Sequence, residues 1–379
     1  MLNCSFPPPR LRMPLLPPAP EALAHSQRVV EHIARQIQTA GGWIDFSHYM
    51  ELALYAPGLG YYSAGAKKFG GGGDFVTAPE MSPLFGQALA RPVTEMLEKS
   101  GGNIIEIGAG SGRLALDLLR ELTTLDALPE RYWILELSAD LRDRQRALLA
   151  TQAPALLDRV GWLDALPESF HGLVLGNEVL DAMPVRLVLW QRGSILERGV
   201  SFANSGFVWE DRLLPAGHLR ALAEELRPGE DYLSEISLAV PAFVRSIGQM
   251  LRHGAAIFID YGFLAEEYYH PQRSRGTLMC HYRHRVHDDP FYLPGLQDIT
   301  AHVDFSAVAA AATQSHLEVT TFTTQARFLI DCGITDLLAR TDPRDAAIYL
   351  PLANQVHRLL SPAEMGELFK VIVLETRRE

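Results

Sequence analysis

Cysteine and long apolar runs are both scarce in this chain of 379 residues. The three cysteines, Cys4, Cys280 and Cys332, are odd in number and form no CxxC pair, which leaves neither a disulfide framework nor a cysteine zinc site. No apolar run reaches the ~18 residues that a membrane-spanning helix needs. The pattern is typical of a reducing compartment, and 47% hydrophobic residues can build a substantial core.

Basic residues are also few, because the chain has 34 of them against 45 acidic residues and a net charge of −11. A nucleic-acid-binding surface needs a concentrated positive field, so the composition argues against one. The first twenty residues are dominated by proline, which suits neither a signal peptide nor an amphipathic transit helix. We expect residues 1–20 to be a disordered, polyproline-type segment and the protein to be cytoplasmic.

From residue 103 onward, short apolar segments alternate with amphipathic ones. The predicted strands are NIIEI, YWILEL, VGWL, LVLGN and AAIFIDYG, and RLALDLLREL and SADLRDRQRALLA are predicted helices, the second capped by Ser138. FKVIVLET is predicted as a final edge or hairpin strand. This alternation predicts an α/β fold with a parallel, Rossmann-like sheet and helices on both faces.

The remaining segments suggest a second, smaller lobe, because residues 185–235 interrupt the alternation. We predict an N-terminal helix and a covering segment in 21–100, the Rossmann-like core in 101–184, and an inserted substrate lobe in 185–250. Residues 251–379 are predicted to complete the core sheet, with a substrate-facing segment at 270–305.

The motif IIEIGAGSGRL sets Gly108, Gly110 and Gly112 between a strand and a helix. Glycine there lets the backbone turn sharply and approach a ligand, while the helix N-terminus offers N–H donors. The dinucleotide fingerprint GxGxxG needs a glycine at position 113, which is Arg113. Glu106 would repel a pyrophosphate but tolerates the cationic cofactor S-adenosyl-L-methionine. The motif resembles the E/D-x-G-x-G-x-G signature of Rossmann-like methyltransferases.

Two further acids end the next two predicted strands. Glu136 ends YWILEL, where a carboxylate can accept hydrogen bonds from both ribose hydroxyls. Asp164 in GWLDALP ends the third strand, where it can accept from the adenine amino group. Acids at the ends of three consecutive strands favour an S-adenosyl-L-methionine site, to which we also assign the neighbours Leu137 and Leu163.

The segment LVLGNEVLDAMP carries Asn177, Glu178 and Asp181 off the end of the fourth strand. Ligands of open α/β sheets bind outside the carboxyl ends of the strands, so these residues should lie near the methyl group. Glu178 and Asp181 share one face of a helical turn, and carboxylates both clamp a guanidinium and accept a proton. Alternatively, one acid caps the following helix and the other binds the methionine ammonium.

Six blocks of the chain resemble, in order, those of the methyltransferase family that contains the mitochondrial complex I assembly-factor methyltransferase and its bacterial relatives. They are GDFVTAPEMSPLFGQALA, IIEIGAGSGRLALDLL, ILELSADLRDRQRALL, LGNEVLDAMPV, FIDYG and GLQDITAHVDFSAV. The resemblance implies S-adenosyl-L-methionine-dependent methylation of arginine in a protein, and in the mitochondrial member symmetric dimethylation of a complex I (NADH dehydrogenase) subunit. It implies the cytoplasm for a bacterial protein and the mitochondrial matrix for a eukaryotic one.

In the resembled family, the segment GGGGDFVTAPEMSP covers the cofactor. Gly70 to Gly73 would then be a hinge, while Asp74, Thr77 and Glu80 face the ligand and Pro79 orders the covering segment. The alternative is a plain linker.

The segment GLQDITAHVDF holds further candidates. If it is a strand, Asp298, Thr300, His302 and Asp304 share one face, line the substrate channel and let His302 relay a proton. The alternative is a hydrogen-bonded cluster that caps a helix. The nearby histidines of RGTLMCHYRHRVHDDPF are not predicted to bind metal, because methyl transfer from a sulfonium needs none.

Three other functions compete with protein arginine methylation. One is methylation of a small molecule or another residue type, which a closed apolar pocket would favour over a wide, acidic entrance. Another is an assembly factor that binds S-adenosyl-L-methionine without turnover, and the intact Glu106, Glu136 and Glu178 count against it. An NAD oxidoreductase is disfavoured by Arg113.

Overall fold

The computed structural model describes residues 17–64 and 76–377 of the chain. Residues 1–16 of the predicted proline-rich segment lie outside the described residues. The same holds for residues 65–75, which contain the predicted hinge of Gly70 to Gly73 and Asp74. Among the described residues, no helix is both long enough and apolar enough to span a bilayer.

The described part of the chain alternates helices and strands as the sequence predicts. The helices are α1 (Pro20–Thr39), α2 (Phe46–Tyr55), α3 (Ala78–Met81), α4 (Pro83–Ser100), α5 (Arg113–Thr124), α6 (Ala139–Gln152), α7 (His218–Leu226), α8 (Ala239–Met250), α9 (Ala265–Tyr268), α10 (Phe305–Thr313), α11 (Gln325–Asp331), α12 (Ile334–Ala339) and α13 (Ala346–Leu360). The strands are β1 (Trp43–Asp45), β2 (Asn103–Ile107), β3 (Arg131–Leu135), β4 (Val160–Leu163), β5 (Phe170–Asn177), β6 (Arg186–Gln191), β7 (Ser194–Ala203), β8 (Gly206–Leu213), β9 (Tyr232–Ile236), β10 (Leu251–Phe263), β11 (Met279–Tyr282), β12 (Arg285–His287), β13 (Asp298–Thr300), β14 (Val303–Asp304), β15 (Leu317–Thr324) and β16 (Phe369–Thr376).

The larger sheet has eight strands in the order β15-β16-β10-β5-β2-β3-β4, with β14 beside β10. The strands from β10 to β4 are parallel, while β16 runs antiparallel to both β10 and β15. The predicted α/β sheet is therefore confirmed, but it is mixed rather than wholly parallel.

The prediction that FKVIVLET forms an edge or hairpin strand is wrong, because β16 lies between β10 and β15 inside the sheet. The consecutive residues Val371, Ile372, Val373 and Leu374 are all buried. A strand covered on both faces reads as a continuous apolar run, so this run indicates that both faces of β16 are covered, while its place between two strands comes from the pairing.

The core lies in two layers, one on each face of the larger sheet. Ile104, Leu173 and Ile257 face the layer that contains α4, α5 and the C-terminal helices α11 to α13. Their neighbours Ile105 and Val174 face the opposite layer, which contains α8 and α10. Successive strand residues point to opposite faces, so short runs such as NIIEI supply both layers at once. The prediction of helices on both faces is confirmed.

The second lobe is built around a five-stranded antiparallel sheet, β1-β7-β6-β9, with β8 paired to β7. Most of it comes from residues 185–235, and β1 joins it from the N-terminal segment. Helix α2 packs Phe46, Tyr49 and Met50 into its core. The N-terminal and inserted segments thus meet in one lobe, which borders the carboxyl ends of the core strands.

The segment GLQDITAHVDF does not form a single strand. It divides into β13 and β14, since the chain bends where Ala301 N–H donates to the Asp181 carbonyl at 3.0 Å and His302 N–H to Thr277 Oγ1 at 3.0 Å. Asp304 then caps α10, accepting from Ser306 N at 2.9 Å. The condition for a shared face, a single strand, is therefore not met, and the cap at Asp304 agrees with the alternative of a hydrogen-bonded cluster that caps a helix.

Candidate active site

The glycine turn between β2 and α5 has the geometry that its sequence predicts. Gly108, Gly110 and Gly112 have φ angles of 65°, 55° and 85°, which lie in the left-handed region that favours glycine. A Cβ on Gly112 would stand 3.2 Å from Cγ of Gln145, so the turn also needs glycine for close packing. The turn presents its backbone at the carboxyl ends of β2, β3 and β5.

A cavity of about 1060 Å³, here called the glycine-turn cavity, opens at these strand ends. Ligand sites commonly measure about 300–1,000 Å³, so it can hold a cofactor together with a substrate side chain. The predicted residues in its wall are Thr77, Pro79, Glu80, Glu106, Gly108, Gly110, Glu136, Leu137, Asn177 and Glu178. Gly112, Leu163, Asp164, Asp181 and His302 are not part of that wall.

Glu136 is fixed to the glycine turn by a side chain that sequence analysis missed. Its carboxylate accepts from Ser138 N at 2.9 Å and from Gln145 Nε2 at 3.2 Å. Gln145 Nε2 also donates to the Gly110 carbonyl at 2.9 Å, and Trp162 Nε1 donates to Gln145 Oε1 at 2.8 Å. The sequence gives no local signal for Gln145, because α6 is only weakly amphipathic.

Glu106 is buried beneath the glycine turn and accepts a hydrogen bond from the Tyr132 hydroxyl at 2.7 Å. Burial raises the pKa of Glu106 to about 7, against the lowering effect of the Tyr132 hydrogen bond, and the nearby charge of Glu136 raises it further. The carboxyl group is therefore poised between its two forms near neutral pH. A cation bound in the cavity would favour the charged form.

At the ends of β3 and β4, Leu137 and Asp164 lie in different surroundings. Leu137 is 74% exposed and lines the glycine-turn cavity, where it offers an apolar surface. The Asp164 side chain is 92% exposed and pairs with Arg142 Nη1 at 2.7 Å. Arg142 also donates to the Leu163 carbonyl at 2.7 Å. Asp164 does not line the cavity in this structure, and its contact with adenine stays a prediction.

Helix α3 links the covering segment to both sides of the cavity. The Ser111 hydroxyl of the glycine turn donates to Glu80, and Ala78 N–H lies 3.4 Å from Glu178 Oε1. Thr77, the residue that precedes α3, lies in the cavity wall. The described end of the covering segment thus contacts the glycine turn and Glu178 at once.

Glu178 occupies a strained position at the end of β5. Its φ angle is +53°, a conformation that costs a non-glycine residue about 1–3 kcal/mol. Its N–H donates to the Ile259 carbonyl at 2.8 Å, and its Oε1 accepts from Asn177 Nδ2 at 3.0 Å. Burial raises the pKa of Glu178 to about 8, and the charge of Asp181 raises it further. Such strain is maintained by surrounding structure and is typical of functional residues.

Asp260, the central residue of the FIDYG motif, supplies much of that support and was missed by sequence analysis. Its Oδ2 accepts from the N–H groups of Val179, Leu180 and Asp181 at 3.1, 2.8 and 3.3 Å. Its Oδ1 accepts from Tyr261 N at 2.9 Å. The side chain is 1% exposed. One buried carboxyl group therefore holds the turn that carries both predicted acids.

Replacing Asp260 with alanine is expected to lower the free energy of unfolding by about 2–4 kcal/mol, because four N–H groups lose this acceptor. Asparagine retains an acceptor oxygen and should cost less. Urea denaturation measures both, and Asp342→Ala, at an exposed surface ion pair, is the matched control. Equal stability of Asp260→Ala and the control would contradict the role assigned to Asp260.

Neither Asp181 nor His302 lies in the wall of the glycine-turn cavity. Asp181 is buried, its pKa is raised to about 6 by burial, and it accepts a hydrogen bond from the Tyr261 hydroxyl. His302 lines a second cavity of about 830 Å³ and packs edge-on to Tyr261 at 5.2 Å. Burial lowers the pKa of His302 to about 3, which keeps the ring neutral. Its part as a proton relay stays a prediction.

The sequence and the fold resemble those of known proteins. Residues 85–323 match the model of a family described as "Putative S-adenosyl-L-methionine-dependent methyltransferase". The mitochondrial protein arginine methyltransferase NDUFAF7 of Danio rerio is 28% identical, over 93% of this chain and 88% of that protein. Its homolog from Drosophila melanogaster is also 28% identical, over 94% of this chain and 87% of that protein.

Two crystal structures from Burkholderia thailandensis share the fold over almost the whole chain. One contains S-adenosyl-homocysteine, has a TM-score of 0.93 and 54% sequence identity, and matches 96% of this chain and 95% of its own. The other, a native structure, has a TM-score of 0.90 and 53% identity, with the same two coverages.

Proposed function

The chain belongs to the family of S-adenosyl-L-methionine-dependent methyltransferases, and from this premise we propose that it methylates an arginine side chain of a protein. The observation that carries the proposal is Glu178, an acid held in the wall of the glycine-turn cavity at a strained backbone position. The names of the relatives from Danio rerio and Drosophila melanogaster agree with this substrate class.

The residues around the glycine turn suit the cofactor. The turn at Gly108 and Gly110 leaves room for close approach, and Glu136 suits the ribose hydroxyls. Leu137 offers an apolar surface to the adenine ring. Asn177 Oδ1 is buried without a hydrogen-bond partner among the described residues, so it is available to accept from the methionine ammonium. We assign cofactor binding to these residues on that basis.

When bound, S-adenosyl-L-methionine supplies an electrophilic methyl group, and its bond to sulfur breaks as the substrate nitrogen attacks. The Glu178 carboxylate binds and orients the guanidinium, since carboxylates pair with that group through two hydrogen bonds. The nitrogen loses one proton as its bond to carbon forms, and Glu178 accepts this proton. The buried charge of Asp181 behind Glu178 raises the proton affinity of Glu178.

The raised pKa of Glu178 fits this role. At about 8, it leaves the carboxyl group mostly protonated at neutral pH before any ligand binds. A guanidinium or sulfonium cation nearby favours the carboxylate and releases that proton. Glu178 is then charged when the substrate is present, and its proton affinity is still high enough to act as a base.

An acidic residue in the outer wall of the cavity favours a protein substrate over a small molecule. The second lobe contributes Tyr55 and the exposed Glu51 to this outer wall, and Met183, from the turn after β5, also lines the cavity. An acidic side chain at an open entrance suits an incoming basic segment of a protein chain. A subunit of a respiratory NADH dehydrogenase is our proposed target, with symmetric dimethylation as its product and the cytoplasm as its site.

The substrate class can be tested with methyl-labelled S-adenosyl-L-methionine and an extract of source cells that lack the enzyme. We expect label in methylarginine after acid hydrolysis of the protein fraction, and no label with Glu178→Gln. Label in another amino acid or in the small-molecule fraction would contradict arginine methylation. Cofactor binding without any transfer would favour a non-catalytic assembly factor.

A further inference from the structure

The outer half of the glycine-turn cavity has aromatic residues that nothing above assigns to the reaction. Helix α2 contributes Ser47, Glu51 and Tyr55, which are spaced by four residues and so lie along one helical face. The loop that follows α2 contributes Tyr62. This wall lies in the second lobe, whereas the glycine turn lies in the core lobe.

Tyr55 and Tyr62 form a rigid pair. Their rings are stacked with centroids 5.3 Å apart and an interplanar angle of 22°. The Tyr55 hydroxyl donates to the Ala182 carbonyl at 2.9 Å, and the Tyr62 hydroxyl donates to Asp298 Oδ1 at 2.8 Å. Ala182 belongs to the same turn as Asp181, so these hydrogen bonds fix the ring pair relative to the turn that carries the acids.

The chemistry of this wall suits a planar cation. The face of an aromatic ring is electronegative and attracts a guanidinium, which also stacks on the ring because it is flat and weakly hydrated. A lysine ammonium is strongly hydrated and has no plane to stack, so it gains less. The wall borders the same cavity as Glu178, whose carboxylate can bind the edge of the guanidinium while a ring covers its face.

We propose that Tyr55 and Tyr62 form the guanidinium-binding wall of the substrate site and make the enzyme select arginine over lysine. This inference rests on the proposed arginine methylation and extends it to residues that determine specificity. The ring faces supply the selectivity, and the two hydroxyl hydrogen bonds hold the rings in position.

The test uses the full chain saturated with S-adenosyl-homocysteine and a capped amino acid, N-acetyl-arginine N-methylamide, with the lysine analogue beside it. Chemical-shift titration gives both dissociation constants. We expect tighter binding of the arginine probe, and a dissociation constant about 3- to 30-fold higher in Tyr55→Leu and Tyr62→Leu. The dissociation constant of the lysine probe should rise by a smaller factor than that of the arginine probe.

Phenylalanine at each position is the matched control, because it keeps the ring and removes only the hydroxyl. We expect Tyr55→Phe and Tyr62→Phe to bind the arginine probe within about 3-fold of the native protein, because the ring carries the attraction. The affinity for S-adenosyl-homocysteine reports whether each variant is folded. Leucine variants that keep both that affinity and the native arginine constant would overturn the inference, as would equal or absent binding of the two probes to the native protein.

Failure of the inference and failure of the proposed function give different experimental results. Suppose that label enters methylarginine but the leucine variants have the native KM for the arginine-containing substrate. The aromatic wall is then not the guanidinium site. If label enters another residue type, arginine methylation itself is wrong. The full expectation is methylarginine formation with a raised KM in the leucine variants and a kcat that changes little.

Discussion

Replacing Glu178 with glutamine is expected to lower the rate of methyl transfer by about 10²–10⁴-fold, the range associated with loss of a general base. The amide cannot accept the departing proton or pair as an ion with a guanidinium. It can still accept from Asn177 Nδ2 and Ala78 N, so the geometry of the turn should persist. Single-turnover assays with labelled cofactor measure the rate, and calorimetry measures affinity for S-adenosyl-homocysteine, which should change only a few-fold.

Glu98→Gln, an exposed substitution on α4, provides the control for the loss of one carboxylate elsewhere. It should leave both quantities unchanged. If Glu178→Gln instead abolishes S-adenosyl-homocysteine binding, Glu178 belongs to the cofactor site rather than to the chemistry. Undiminished transfer by that variant would remove Glu178 from the mechanism altogether.

The ligand-free protein is expected to lose about 2 kcal/mol of stability between pH 6.5 and pH 8, because Glu178 is forced to ionise while buried. Its pKa is about 8 in the folded protein against an ordinary value of 4.5. In this interval the folded state therefore binds more protons than the unfolded chain. The free energy of unfolding falls as pH rises, and the contribution is fully present only below the unfolded pKa.

Below pH 6.5, two buried histidines change the free energy of unfolding in the opposite direction. The pKa values of His281 and His302 are lowered to about 4 and 3, so their contribution rises with pH only up to about the ordinary histidine value of 6.5. Urea denaturation at pH 6.5 and pH 8 measures the loss. Glu178→Gln should show a smaller loss and be the more stable protein at pH 8. A native protein that gains stability over this interval would refute the raised pKa.

The parts of the site that sequence analysis predicted are those encoded in short contiguous stretches. The turn with Gly108 and Gly110 needs glycine at fixed spacing, and the strand ends before Glu136 and Asn177 are visible as apolar runs. Parallel strands bring their carboxyl ends together, so these positions meet without any further information. This is why the glycine turn, its helix and most of the cavity wall could be predicted.

The parts that were missed depend on contacts between distant segments. Asp260 binds the turn at Leu180 across 80 positions of the chain, and Tyr62 binds Asp298 across 236. Periodicity within one segment carries no signal for such pairs. For Asp164, the end of a strand gives the position of the residue but not the partner of its side chain, which in this structure is Arg142.

The interior position of β16 has a consequence for how the protein is made. It is the last strand of the larger sheet to be synthesised, yet it must pair with β10 on one side and β15 on the other. Until it emerges from the ribosome, both neighbours expose unpaired edges, which are sites for aggregation. Nascent chains stalled before Phe369 should therefore depend on chaperones. Such chains already contain the whole glycine turn, but their larger sheet still lacks β16.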